Sequence, residues 1–171
     1  MSTTQVEAMS SDSIDIANVT ADYLAFRDGF QTLVLSTFAD GQPQISYAPF
    51  IDHEGGLFIY VSELAAHTRH LLHTGQCAVL LIEDEQTCRN LFARRRIAYR
   101  CTAAEVDQAD GLGPQVLERM QASFGNMVEL LRTLPDFHLI RLDVVEGSYV
   151  AGFGKAFAIR SDGALEHVSR M

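Results

Sequence analysis

The chain has 171 residues, 47% hydrophobic and 20% charged, which is enough for one domain with a core of its own. Its 13 Lys+Arg against 22 Asp+Glu leave a net charge of −9, which excludes nucleic-acid binding through the surface at large, because that affinity comes from neutralising phosphates. No apolar run approaches the roughly 20 residues of a membrane-spanning helix, and the three cysteines, odd in number and without zinc-type spacing, read as reduced thiols of a cytoplasmic protein.

Residues 1–20 are polar and acidic, with neither the basic start nor the apolar stretch of a signal segment, and read as a mobile arm ahead of a single domain over residues 21–171. Tyr23, Leu24, Phe26 and Phe30 are spaced for a short amphipathic helix over Asp22–Phe30 that closes near Gly29. Three runs rich in β-branched and aromatic residues follow, Thr32–Phe38, Pro43–Ile51 and Leu57–Ser62. Asp40-Gly41 and the stretch Asp52 to Gly56 part them, which predicts a meander of antiparallel strands. Ser62 is placed to cap a helix built on Ala65, Ala66, Leu71 and Leu72, whose polar content is His67, Thr68, Arg69 and His70.

Gln76–Glu83 is a continuous apolar run and predicts a strand buried on both faces. A polar connection over Asp84–Leu91 leads to a long strand over Phe92–Val106, with Ile97, Tyr99 and Cys101 alternating against Ala98, Arg100 and Thr102. Val116, Met120, Phe124, Met127, Leu131 and Leu134 fall at steps of three and four. They predict one helix over Gly111–Leu134, with Pro114 in its first turn and Pro135 at its end. Phe137–Val144, Gly147–Ala151 and Ala156–Arg160 read as three closing strands. Many short antiparallel strands with few helices predict a mainly β fold, a small antiparallel barrel with flanking helices.

Several chemical signatures fail. Gly152-Phe153-Gly154-Lys155 resembles the end of a phosphate loop, but Ala156 stands where a hydroxyl would ligate magnesium. No GxSxG nucleophile elbow occurs. Glu63, His67, His70 and His73 lack a second ligand cluster, so they read as capping or solvated groups rather than a metal site. Arg94, Arg95 and Arg96 form the one dense basic run of an acidic chain. On an extended segment Arg94 and Arg96 share a face, where two guanidiniums can meet one carboxylate or phosphate. Asp136 after Pro135 reads as a turn carboxylate, and Pro49 marks an edge or irregular stretch beside Ser46, Tyr47 and Ala48.

In order along the chain, GQPQISYAPF, LFIYVSELAAHTRHL, LFARRRIAY, PDFHLIRL and GFGKAF resemble the FMN-binding split-barrel proteins related to pyridoxamine 5'-phosphate oxidase, and within them the haem-utilisation (HugZ/HutZ) branch. The likeness runs from Tyr23 to Ile159. It implies a homodimeric split β-barrel with two cofactor sites at the subunit interface, binding haem and cleaving it with dioxygen. An FMN-dependent oxidoreductase and a non-catalytic haem carrier are the alternatives. By the same resemblance, Ser46, Tyr47 and Ala48 lie where flavin-binding members rest the isoalloxazine, and His67, Thr68 and Arg69 where they hold the phosphate. Arg96 matches an arginine of the haem pocket, and Asp136 the aspartate that supports the proximal histidine. Thr32 matches a residue grouped with that aspartate at the subunit contact. The branch carries its iron-ligating histidine in a Gly-His pair on the C-terminal tail. This sequence shows no such pair, so His167 is taken as the ligand, on a mobile tail reaching across the interface toward Asp136, ahead of His67 and His138.

Overall fold

The structure, a computed structural model, describes residues 15–168; the first fourteen residues, most of the expected arm, lie outside that range. Its centre is a closed antiparallel barrel of six strands: β1 (Thr32–Ala39), β2 (Gln42–His53), β3 (Gly56–Ser62), β4 (Gln76–Ile82), β5 (Arg96–Val106) and β6 (Phe137–Gly152). The order is β3-β2-β1-β4-β5-β6, and the barrel closes where β3 pairs with the start of β6, Leu57 opposite Leu142. Two further strands, β7 (Lys155–Ile159) and β8 (Leu165–His167), extend the sheet beyond the end of β6. The first two hairpins turn on two residues each, Asp40-Gly41 and Glu54-Gly55, all four at positive φ. That is the backbone twist a tight antiparallel hairpin requires.

Helices close the two ends. Helix α1 (Ile16–Asp28) caps one end, where the Tyr23 hydroxyl meets that of Tyr99 at 2.7 Å inside the barrel. It begins at Ile16, six residues ahead of the expected Asp22, because Asp15 Oδ1 accepts from the backbone N–H groups of Ala17 and Asn18. Helix α2 (Ala66–Thr74) covers the other end and connects β3 to β4. Ser62 is not its N-cap: Ala65 holds that position with no side-chain bond, while the Ser62 hydroxyl accepts from Leu64 N–H in the preceding turn.

Two cores share the barrel wall. Leu35, Ile59, Val79, Ile97 and Ile140 fill the interior, while Phe58, Tyr60 and Leu139 point outward against Val116, Leu117, Met120 and Val128 of the next two helices. Those helices are α3 (Gly113–Phe124) and α4 (Asn126–Leu131), where one long helix was expected. The apolar stripe is continuous, but Gly125 lies at φ 73°, ψ −157°, a conformation open to glycine alone, and the chain bends there. The strand buried on both faces is therefore β3, not β4. The helices lie over β2, β3 and β6, whereas outside β4 the side chains have no layer above them: Ala78 is exposed, and Leu80 and Ile82 are only partly buried.

The three expected closing strands also resolve differently. Phe137 to Gly152 is one 16-residue strand whose first part pairs with β3 and whose last part pairs with β7. A bulge at Val145, opposite Arg100 and Cys101, bends it from one partner to the other. At its other neighbour, Phe92–Arg95 is not strand: Leu91–Ala93 make a single 3-10 turn, and β5 starts at Arg96.

Candidate functional site

The uncovered outer sheet face is the first place to look for a ligand. One register row crosses six strands: Tyr47 on β2, Val34 on β1, Leu80 on β4, Ala98 on β5, Ser148 on β6 and Ala158 on β7. The last three are small, and beside the bulge they floor an open trough of about 730 Å³. That volume lies within the usual range of small-molecule sites. Gly147 lies under that floor, on the barrel side with Tyr99 and Ile159; a Cβ there would stand 2.6 Å from the Ala98 carbonyl oxygen and 2.8 Å from the Tyr99 ring. Arg100 and Arg160 line the trough, each tied to a carboxylate, Glu146 at 3.0 Å and Glu166 at 2.9 Å.

The arginine run separates into three roles. Arg94, outside the strand, turns back to donate to the Glu83 carbonyl and, at 2.9 Å, to the Glu85 carboxylate. Arg95 lies over the Phe26 ring at 4.5 Å and donates to the Tyr149 hydroxyl at 3.0 Å, pinning α1 to the barrel. Arg96 alone stays on the outer face, in the row of Ile82, Val150 and Ala156, next to the trough floor. One of its nitrogens donates to the Arg94 carbonyl; its remaining N–H groups have no partner among the described residues. The expected convergence of Arg94 and Arg96 on one anion is therefore absent.

The α2 end gathers most of the other expected residues. Asp136 accepts a 2.5 Å hydrogen bond from the Ser62 hydroxyl, and its carbonyl accepts from Glu63 N–H. Thr68 is fully buried and donates to the Ser62 carbonyl; Arg69 donates to the Glu63 carbonyl. Both hold the β3–α2 turn, at the place where the resemblance expects them to meet a ligand phosphate. His67 buries an Nε2 with no partner, and burial, helped by His70, lowers its pKa. Ser46 Oγ is buried without a partner too, facing the interior with Ala48, while Tyr47 stands out on the exposed face. Ser46, Tyr47 and Ala48 thus do not share one surface. Thr32, exposed at the start of β1, pairs with Pro49 and makes no bond to Asp136 among the described residues.

His138 is bonded at both ring nitrogens, to Glu105 at 2.6 Å and Glu63 at 2.7 Å, so it has no lone pair to give iron. His167 belongs to β8 rather than to a mobile tail. With Leu165 it faces the barrel side, its ring edge-on to Phe157 at 5.5 Å, on the opposite sheet face from the trough. No histidine lines the trough. Among the described residues no group of three or more His, Cys, Asp or Glu is placed to hold a metal ion, and no helix is long and apolar enough to cross a membrane.

Comparison with known proteins gives the lineage. The pattern that defines the family described as "Pyridoxamine 5'-phosphate oxidase" matches residues 19–151. The chain belongs to this family. Within the pyridoxamine 5'-phosphate oxidase family it is 38% identical over 144 residues to "Heme oxygenase HutZ" of Vibrio cholerae, a match covering 84% of this chain and 82% of the relative. A crystal structure described as HutZ, the haem storage protein from Vibrio cholerae, superposes with a TM-score of 0.68 at 37% identity, covering 71% of this chain and 87% of that one. Campylobacter jejuni ChuZ superposes with a TM-score of 0.82 at 27% identity over 92% of this chain, which spans 65% of ChuZ.

Asp136 and Arg96, expected to support the proximal histidine and to line the haem pocket, lie at opposite ends of β6. Arg96 pairs with Val150, some 45 Å of extended strand from Asp136. Sequence reasoning missed the trough itself. Its signal was present: small residues at the alternate positions Ala98, Ser148 and Ala158 of three neighbouring strands.

Proposed function

We propose that this chain is a haem-binding protein of iron utilisation that works as a homodimeric split barrel in the cytoplasm. The observation that carries the reading is the trough: a flat floor of small side chains on an apolar sheet face, with the half-satisfied guanidinium of Arg96 at its edge. That is the chemistry a planar apolar macrocycle with carboxylate arms needs, and the acidic remainder of the chain gives those carboxylates few other partners. The names carried by HutZ, an oxygenase and a storage protein, agree on the ligand and differ on turnover.

The fit determines what this chain's residues would do. Arg96 binds a propionate through paired N–H donors. Ala98, Ser148 and Ala158 admit the ring face. Asp136, which uses one carboxylate oxygen on Ser62, keeps its other oxygen to accept an imidazole N–H and so fix that ring's tautomer. A second copy packed face to face with strands antiparallel is the arrangement that unites Asp136 of one chain with Arg96 of the other. The iron's imidazole would then come across the interface from His67, whose Nε2 has no partner, or from His167 once β8 has left its place against Phe157. Haem when bound supplies the dioxygen chemistry; the protein supplies orientation and exclusion of water. The FMN oxidoreductase reading rests on family membership and loses the phosphate partners Thr68 and Arg69.

Titration of the purified protein with hemin tests this. A Soret band distinct from free hemin, saturating at one equivalent per chain, supports the assignment; its loss in His67→Ala or His167→Ala identifies the ligand. Bleaching of that band with reductant and dioxygen separates the oxygenase from the carrier. Free-hemin absorbance throughout, together with bound flavin, overturns the haem reading.

A further inference from the structure

Two phenylalanines stand almost wholly in solvent near the trough: Phe92 is 92% exposed and Phe153 is 77%. Phe92 belongs to the 3-10 turn Leu91–Ala93 ahead of β5; Phe153 is at the tip of the β6–β7 hairpin, between Gly152 and Gly154. The turn packs against β6. Because Arg96 pairs with Val150, the residues before Arg96 and those after Val150 leave the sheet side by side, at the end of the outer face nearest α1. Phe92, four residues before Arg96, and Phe153, three after Val150, therefore lie at the same end of the sheet, beyond the Arg96 row.

The fold has no use for them where they are. Neither ring stacks on another ring among the described residues. Leaving one such ring in water forgoes roughly 1.5–3 kcal/mol of burial, and Leu91, 65% exposed, adds to the same rim. Contiguous apolar exposure of this kind marks a binding surface. The neighbouring half-satisfied guanidinium says what kind: an apolar, planar body carrying an anion. Five residues of β6, about 16 Å of strand, separate Ser148 on the floor from Phe153, so the occupant must be extended as well as flat.

We infer that Phe92 and Phe153 form an aromatic clamp on the edge of the ligand, gripping the macrocycle while Arg96 holds its carboxylate. This deepens the haem reading and rests on it.

The test is a hemin titration of the parent protein, Phe92→Ser, Phe153→Ser, the double variant and Arg96→Ala, repeated with hemin dimethyl ester, with melting temperature and light scattering of each ligand-free protein. The double variant is expected to bind hemin at least ~tenfold more weakly. It should lose as much for the ester as for the free acid, with melting temperature and mass unchanged. Arg96→Ala should lose affinity for the free acid alone. A double variant that titrates like the parent overturns the clamp while leaving the haem reading standing. A double variant that falls to monomers with unchanged affinity assigns the rings to an interface between copies and overturns it as well. A parent protein that shows only free-hemin absorbance overturns both.

Discussion

Arg94 and Arg96 are two positions apart and are expected to respond oppositely to truncation. Arg96→Ala removes a half-buried guanidinium whose one bond runs to the nearby Arg94 carbonyl, so hemin affinity should drop while the melting temperature of the ligand-free protein stays within a few degrees. Arg94→Ala strips a partly buried carbonyl, that of Glu83, of its donor, and should cost about 1 kcal/mol in urea unfolding. Equal stability losses in the two variants would show Arg96 to be structural. His138 carries a pH signature. The hydrogen bond it donates to Glu105, seconded by the one to Glu63 and opposed by partial burial, raises its pKa above the ordinary 6.5. A raised folded value stabilises the fold fully below the unfolded pKa, and that contribution fades as pH climbs through the folded one. The melting-temperature gap between the parent and His138→Gln should accordingly be widest near pH 6 and narrow on the alkaline side. A gap that stays constant from pH 6 to pH 9 would mean the ring is not charged between its two carboxylates.

The elements show what the sequence could and could not tell. Hairpins with Asp-Gly signals and strands with alternating side chains were legible, because turn geometry and pleat are local properties. The break at Gly125 was not: a single glycine in a stripe with perfect helical spacing weighs less in sequence than the left-handed φ it adopts. The apolar run of Gln76–Glu83 suggested a doubly buried strand, yet burial is decided by what lies above, and none of the helices among the described residues lies over the outer side of β4. For the site, residue types were readable and partners were not. Thr68, Arg69 and Arg94 looked free for an anion, and each turned out to be bound to a backbone carbonyl that no sequence displays. The bulge in β6 makes a further prediction. Gly147→Ala must push Ala98 and Tyr99 aside, so it should destabilise the fold by roughly 1–3 kcal/mol, read in urea unfolding, and weaken hemin binding by distorting the trough floor. Undiminished stability would mean that the backbone yields there at no cost.

At the scale of the molecule, the outer face with Tyr47, Val34 and Leu80 is the surface a second copy is expected to cover, in an interface above roughly 2,000 Å². Light scattering at low micromolar concentration should report a dimer for the parent and a monomer for Leu80→Asp, whose charge would be buried unpaired in the pair. A parent monomer would remove the subunit interface from the functional reading. The closure of the barrel through β3 and β6 has a consequence in time. Every other neighbouring pair of barrel strands includes partners that leave the ribosome sooner after one another, whereas β3 waits for about 90 residues before the whole of β6 has been made. At about 5–20 residues per second of synthesis that delay is on the order of 5–20 s. Contacts of such long sequence separation also make the final closure slow. Throughout the wait the free edge of β3, carrying Phe58 and Tyr60, offers unpaired backbone to any passing strand. The nascent chain is most open to aggregation in this window, and helix α3, which covers Phe58 before β6 arrives, is the element in a position to shield it.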